Sequence, residues 1–238
     1  MVVPTETGLL VIKWARRILS AEQDLRTRVA QLGRAPRITI GCTPLFAATF
    51  LSRLLPHVSR LESASHVTVS TGNTSTLLAG VEHGDYDVAF VEHCGDLGAA
   101  TLESSELGKD EVVFVSAGTG LAPGVVDLAE LLPYTILTCQ LQCCTRILLE
   151  SNLRRSGCKV EDFAGATEVE CLSTVRHMVS DADRLAFVPR SLVAAELAAG
   201  HLNAHTVRGW QHWRSRAVVT RDPETLANWR SVFVDAAA

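Results

Sequence analysis

The stretch from Arg37 to Pro56, RITIGCTPLFAATFLSRLLP, constrains the fold more than any other. A β-branched run (Ile38, Thr39, Ile40) stops at Gly41-Cys42, Thr43 can cap the next element, and Pro44 suits the first turn of a helix. That helix carries Leu45, Phe46, Phe50, Leu51, Leu54 and Leu55 on an amphipathic pattern. A strand therefore feeds directly into a helix, whose N-terminus sits at the strand's carboxyl end. Unpaired backbone N–H groups and the positive end of the helix dipole meet there, so a ligand crevice, if the fold has one, begins at Cys42 and Thr43.

The rest of the chain repeats this unit. Strands are predicted at His66–Ser70, Tyr86–Val91, Leu102–Leu107 and Glu111–Ser116, with a helix from Thr74 closed by His83-Gly84-Asp85. After a bend at AGTGLAPG a second set begins, with strands at Tyr134–Thr138, Thr167–Glu170, Arg184–Val188 and Ala204–Val207. Its helices are expected at Thr145–Arg155, Leu172–Val179 and Ser191–Ala199. A last strand (Arg216–Thr220) and a helix (about Glu224–Val234, opened by Asp222-Pro223) exceed what the second set needs, which suggests a return to the first. Alternation of this kind predicts an α/β fold of two mainly parallel sheets joined by two crossovers, with a cleft between them.

Residues Thr5 to Leu32 stand apart as one helix, some ~40 Å long, ended by Gly33 and Pro36. Its apolar stripe packs either on the body of its own domain or, the reading preferred here, on the same helix of another subunit.

The 238-residue chain is 47% hydrophobic and 20% charged, the balance of a globular protein long enough for one large domain or two small ones. No window reaches the ~18 apolar residues a membrane span requires, and Lys13, Arg16 and Arg17 interrupt the only candidate leader, so the chain is read as cytosolic, without membrane contact. A net charge of −4 without a Lys/Arg stripe lacks the footprint of a nucleic-acid-binding module. Seven cysteines (42, 94, 139, 143, 144, 158, 171) show no CxxC pair, which indicates neither a zinc ribbon nor a secreted disulfide framework.

Several segments resemble LysR-type transcriptional regulators. PTETG before the long helix is similar to the start of their linker helix. The strand–helix ending in LLP, Gly72-Asn73, HGDYDVAF, CCTR at Cys143–Arg146 where many members show SGTR, and LAFVPRS at Leu185–Ser191 come in the family's order. The resemblance implies two subdomains of the periplasmic-binding-protein (type 2) kind: a linker helix over 1–34, subdomain I over 35–115 and 212–238, and subdomain II over 116–211. It also implies a small effector in the interdomain cleft, homodimers or homotetramers, and DNA contact only through a winged helix-turn-helix domain absent from this chain.

Helix N-termini expected at the cleft start at Thr43, Asn73-Thr74, Cys144-Thr145 and Leu172-Ser173. Their donors suit a small carboxylate or other anion. Candidate ligand contacts are Cys42, Thr43, Asn73, Thr74, Cys94, Cys143, Cys144, Thr145, Arg146, Val188 and Pro189. The alternative is that Thr43, Thr74 and Thr145 merely cap their own helices, and that Arg146 sits on the outer face of its helix.

The cysteines depart from the family pattern. Cys42, Cys94, Cys139, Cys143, Cys144 and Cys171 fall near carboxyl ends of predicted strands, and a thiol at a helix N-terminus gains reactivity. Cys42, Cys139, Cys143, Cys144 and Cys171 are therefore redox candidates, for a regulator that reads an oxidant, electrophile or thiophilic metal. The bland reading is that they pack as small hydrophobes, with Cys158 incidental and His93 a solvated loop residue rather than a ligand. Neither a cofactor nor a resident metal is indicated. No GxSxG, GxxxxGK[ST] or HExxH occurs, so an enzyme is not expected. A stand-alone cytosolic solute-binding module is the remaining rival; it has no need of the long first helix.

Overall fold

A computed structural model describes residues 4–31, 37–61, 66–98, 101–117, 120–170, 175, 178–179 and 184–237. Expectations at Gly33, Pro36, Cys171 and Leu172–Ser173 lie outside the described residues.

Helix α1 (Glu6–Gln31) opens at Thr5, whose hydroxyl accepts from the Gly8 N–H at 3.1 Å. Strand β1 (Arg37–Cys42) leads through Thr43 into α2 (Pro44–Phe46). There Thr43 is the N-cap, accepting from the Phe46 N–H at 3.3 Å, with Pro44 in the first turn. The helix widens into a π turn at Ala47–Leu51 and continues as α3 (Ser52–Leu61). It thus passes Pro56, where the LLP motif suggests a stop; one missing N–H is tolerated inside a helix whose other face is anchored in the core.

The first strand set has the order β2 (His66–Thr71), β1, β3 (Val88–His93), β10 (Trp213–Thr220), β4 (Glu103–Ser116). β1 runs parallel to β2 and β3, whereas β10 is antiparallel to β3 and β4. The predicted break between Leu107 and Glu111 does not occur. β4 is one strand, pairing with β10 over Glu103–Glu111 and then with β8 (Arg184–Pro189) over Val112–Ser116. It is the thread by which one set becomes the other. The second set continues through β6 (Thr135–Cys139) to β7 (Gly165–Val169), with β9 (Asn203–Val207) and β5 (Gly124–Val126) on a branch from β4. The sheets are therefore mixed rather than mainly parallel, because the two crossing strands, β4 and β10, run against their neighbours.

Helix α4 (Thr74–His83) ends on Gly84 in the left-handed conformation (φ 86°), as the His-Gly-Asp signal predicts. Short α5 (Leu128–Leu131), opened by an Asp127/Glu130 capping box, and β5 have no counterpart among the predicted elements. Further on come α6 (Cys144–Arg155), α7 (Ala194–Ala198, after a 3-10 turn at Arg190–Val193) and α8 (Pro223–Ala237). α8 opens on Asp222, which accepts from the Thr225 N–H at 2.8 Å.

Alternation along the strands divides each core into two layers. Ile38, Ile40, Phe90 and Val218 pack under α2, α3 and α8, where Phe46 stacks on Phe90 (centroids 4.8 Å) and Phe50 on Phe233 (4.4 Å). Ala89, Val91, Ala217 and Val219 face α4. In the second set Phe114, Ile136 and Phe187 cover Leu148, Leu149 and Leu153 of α6, and Val113, Leu137 and Val188 form the opposite layer. By contrast, Leu9, Leu10, Val11, Ile12, Ile18, Leu19, Leu25 and Val29 of α1 are exposed.

Candidate effector cleft

A cavity of about 230 Å3 lies between the two strand sets. The first set contributes Thr43, Pro44, Leu45 and Ala48 from the start of α2 and its π turn, Thr71 to Thr74 from the β2–α4 junction, and Glu92 from the end of β3. The second contributes Cys139, Gln140, Gln142, Cys143 and Cys144 from the β6–α6 junction, with Glu170. Arg214, near the start of β10, completes the lining. Each wall is thus a strand end running into a helix N-terminus, the local form first legible at Arg37–Pro56.

Of the sequence candidates, Thr43, Asn73, Thr74, Cys139, Cys143 and Cys144 line the cavity. Capping and lining coincide. Thr43 caps α2 while its hydroxyl donates to Glu92. Asn73, not Thr74, caps α4: its Oδ1 accepts from the Thr76 N–H at 2.9 Å. Its amide also donates to Gln142 Oε1 at 3.0 Å, joining the two sets across the cleft mouth. The Thr74 hydroxyl donates to the Glu92 carbonyl at 2.9 Å.

The other candidates are not cavity-lining. Cys42 and Val188 are buried in the two cores, and Pro189 is buried at the end of β8. Thr145 is buried in the first turn of α6. Arg146 reaches neither the cleft nor the outer face: it is buried, donating to Thr138 Oγ1 and, at 2.7 Å, to Glu150. Cys94 lies just behind the wall, its Sγ 3.2 Å from that of Cys144. Cys158 half-packs against the second core, and His93 contacts the Gly95 carbonyl through Nδ1.

Sequence reasoning misses the charged members of the site. Glu92 and Arg214 are almost wholly buried, with Arg214 Nη2 3.4 Å from Glu92 and 2.7 Å from Asp110. Asp110 also receives Arg216 at 2.8 Å and the Ser191 hydroxyl at 3.2 Å. Burial would lower the Arg214 pKa, but Glu92 and Asp110 outweigh it and hold the guanidinium charged. The 3.4 Å contact from Arg214 reaches Glu92 Oε1, which is buried at the cavity and makes no hydrogen bond among the described residues. The only hint of these groups in sequence is a lone carboxylate ending the apolar run VAFVEH and an alternating arginine pair, Arg214 and Arg216, before the run AVVT.

The thiols differ sharply. Cys42 is pushed up to about 11, by burial first and Glu92 second, so it packs as a hydrophobe. Cys143 falls to about 6, mainly through a hydrogen bond from Cys139 and then, against the cost of burial, through the Thr145 and Arg146 N–H groups. Cys139, the donor of that pair, is raised. Cys94 is lowered by a hydrogen bond from Cys144, which is itself raised. No group of three or more His, Cys, Asp or Glu among the described residues is arranged to hold a metal ion. None of the described helices is long and apolar enough to cross a membrane.

With this geometry in place, comparison defines the class. The LysR substrate binding domain family matches residues 31–237, and the chain belongs to that family, the effector-binding part of LysR-type transcriptional regulators. It is 22% identical over 235 residues to the HTH-type transcriptional regulator GltR of Bacillus subtilis (strain 168), covering 97% of this chain and 76% of GltR. It is 23% identical over 205 residues to the probable RuBisCO transcriptional regulator of Emiliania huxleyi, covering 84% of this chain and 65% of that protein. Among solved structures, the reduced regulatory domain of OxyR2 from Vibrio vulnificus superposes with a TM-score of 0.69 at 18% identity, covering 85% of this chain and 96% of that one. An H2O2-bound Corynebacterium glutamicum OxyR variant does so with a TM-score of 0.69 at 19% identity, covering 98% and 75%. These structures establish the shared two-subdomain, periplasmic-binding-protein-like fold.

Proposed function

We propose that the cavity between the two strand sets binds a small effector, and that its occupancy changes the relative arrangement of two subdomains, 35–115 with 212–238 and 116–211. Helix α1, within the linker segment 1–34, carries that change to a homodimer or homotetramer and onward to a DNA-binding domain of the regulator. The observation that supports this most is the convergence of three helix starts, at Thr43, Asn73 and Cys143, on one cavity.

The size and polarity narrow the effector. At about 230 Å3 the cavity falls below the ~300–1,000 Å3 of drug-sized sites, so a small metabolite fits it. Backbone N–H groups at the starts of α4 and α6 suit a carboxylate or other anion. Arg214, already paired with Asp110 and Glu92, is not a free counter-charge for it. Glu92 Oε1 has the 3.4 Å ion-pair contact to Arg214 but makes no hydrogen bond among the described residues, which leaves it able to accept one from the effector. The effector therefore combines an anionic end with a hydrogen-bond donor.

Binding shifts the equilibrium only by its differential affinity for the two arrangements. A tenfold preference supplies about 1.4 kcal/mol, enough for graded control. A thermal-shift screen of small carboxylates and amino acids tests the reading, with Glu92→Gln and Asn73→Ala as cleft variants. Ligands that raise the midpoint of the parent and not of the variants support it; ligands that act equally on all three place binding elsewhere.

The reading of the same regulator as a thiol sensor is favoured by one observation, the lowered pKa of Cys143 on the cavity wall. An effector screen that fails while Cys143 reacts selectively with small electrophiles would bring it forward.

A further inference from the structure

Two thiols from opposite sides of the cleft meet behind its wall. Cys94 comes directly after β3 in the first strand set, and Cys144 is the first residue of α6 in the second. Their Sγ atoms are 3.2 Å apart, and Cys94 Sγ is 3.5 Å from the Cys144 carbonyl. Cys94 packs against the apolar cluster of the second set although its own strand belongs to the first. Cys144 also forms part of the cavity surface, so a small molecule in the cleft reaches it directly. Both residues are half-buried, which shields a bond between them from bulk solvent.

We infer that Cys94 and Cys144 form a reversible disulfide that staples the two subdomains across the cleft. Bond formation needs the sulfurs to approach from 3.2 Å to about 2.05 Å. The co-reactant is a small disulfide, R–S–S–R. The thiol pair shares one proton in its monoanionic form, and Arg214 lies near enough to favour a negative charge on either sulfur. When the proton rests on Cys94, the Cys144 thiolate attacks one sulfur of R–S–S–R, forming a mixed disulfide and releasing RS⁻. Cys94 then passes its proton to that RS⁻ and attacks Cys144 Sγ, forming the internal bond and expelling the second RS⁻. Two electrons pass from the pair to the small disulfide, which leaves as one thiol and one thiolate. The staple is independent of the effector reading, since it needs no ligand in the cleft. Its consequence is a fixed angle between the two strand sets, joined at a point other than β4 and β10.

Trypsin separates the partners: Cys94 lies in the fragment 61–109, and Cys139, Cys143 and Cys144 lie in 110–146. The full chain, treated with bis(2-hydroxyethyl) disulfide and then alkylated and digested, is expected to give a linked 61–109/110–146 species that reductant dissolves. Cys144→Ser and Cys94→Ser each abolish the link, and Cys94→Ser instead traps the mixed disulfide on Cys144. Cys143→Ser and Cys158→Ser retain it. A parent protein that accumulates mixed disulfide on Cys144 without the link overturns the inference. So does a link that survives Cys144→Ser and is lost in Cys143→Ser.

Discussion

Asp110→Ala is the substitution that best tests how the two crossing strands are held. Asp110 is on β4 and Arg214 on β10, both buried, with Oδ2 2.7 Å from Nη2 and 3.3 Å from Nε. The side chains retain 5% and 1% of their exposure, so solvent screening offers little relief. Among the described residues, removal of the carboxylate leaves the buried guanidinium with only the 3.4 Å ion-pair contact to Glu92, and Arg216 loses the same partner. A buried pair broken on one side costs about 3–5 kcal/mol. At about 2–4 °C per kcal/mol for a chain of this size, the thermal midpoint should fall by about 6–20 °C. Glu111→Gln is the control: its Arg190 partner is 47% exposed, which limits the loss to about 1 kcal/mol. The triple variant Glu92→Gln/Asp110→Leu/Arg214→Met removes all three buried charges of the network and should recover part of the loss, Arg216 still lacking its partner. Thermal and urea unfolding at one protein concentration measure all four proteins, concentration being fixed because association contributes to the midpoint. An Asp110→Ala loss below about 1 kcal/mol, or a triple variant worse than the single one, would refute the reasoning.

Three further outcomes rest on local geometry. Gly80→Ala should destabilise by about 1–3 kcal/mol in urea unfolding, against the usual ~1 kcal/mol gain in a helix, because the new Cβ would sit 2.4 Å from Tyr86 Cε2. Tyr86→Leu in the same chain should restore part of it. Iodoacetamide labelling of Cys143, followed by mass spectrometry, should rise with pH through an inflection near 6, since a depressed pKa leaves the thiolate present above that value and protonated below it. Cys139→Ala, which removes the main cause of the shift, should move the inflection upward toward the ~8.5 of a free thiol. Deletion of residues 1–34 should lower the sedimentation-derived mass to that of a smaller assembly, because the exposed Leu9, Ile12, Ile18, Leu25 and Val29 go with it; an unchanged mass would contradict pairing through α1.

The unit around Arg37–Pro56 is legible in sequence because cap, proline and apolar period agree within a few residues, and the same local signals place α4, α6, β8 and α8. β4 reads as two strands because Gly108-Lys109-Asp110 looks like a turn. In the fold Gly108 takes φ 119° beside a register shift on β10, so a bulge carries the strand through. Cys42 and Val188 are expected at the cleft because they end strands, but side chains alternate along a strand and these two point into the cores. Glu92, Asp110 and Arg214 depend on partners far apart in sequence, which no spacing rule reveals. The Cys94–Cys144 approach is hidden for the same reason.

Amide NMR of the isotopically labelled protein, titrated with small carboxylates and amino acids, tests the effector cleft most directly. The account predicts at least one compound whose binding shifts Thr43, Asn73 and Thr74 on one wall together with Gln142 and Cys144 on the other. A compound that binds while all of these signals stay still, with its shifts confined to other surfaces, would contradict it.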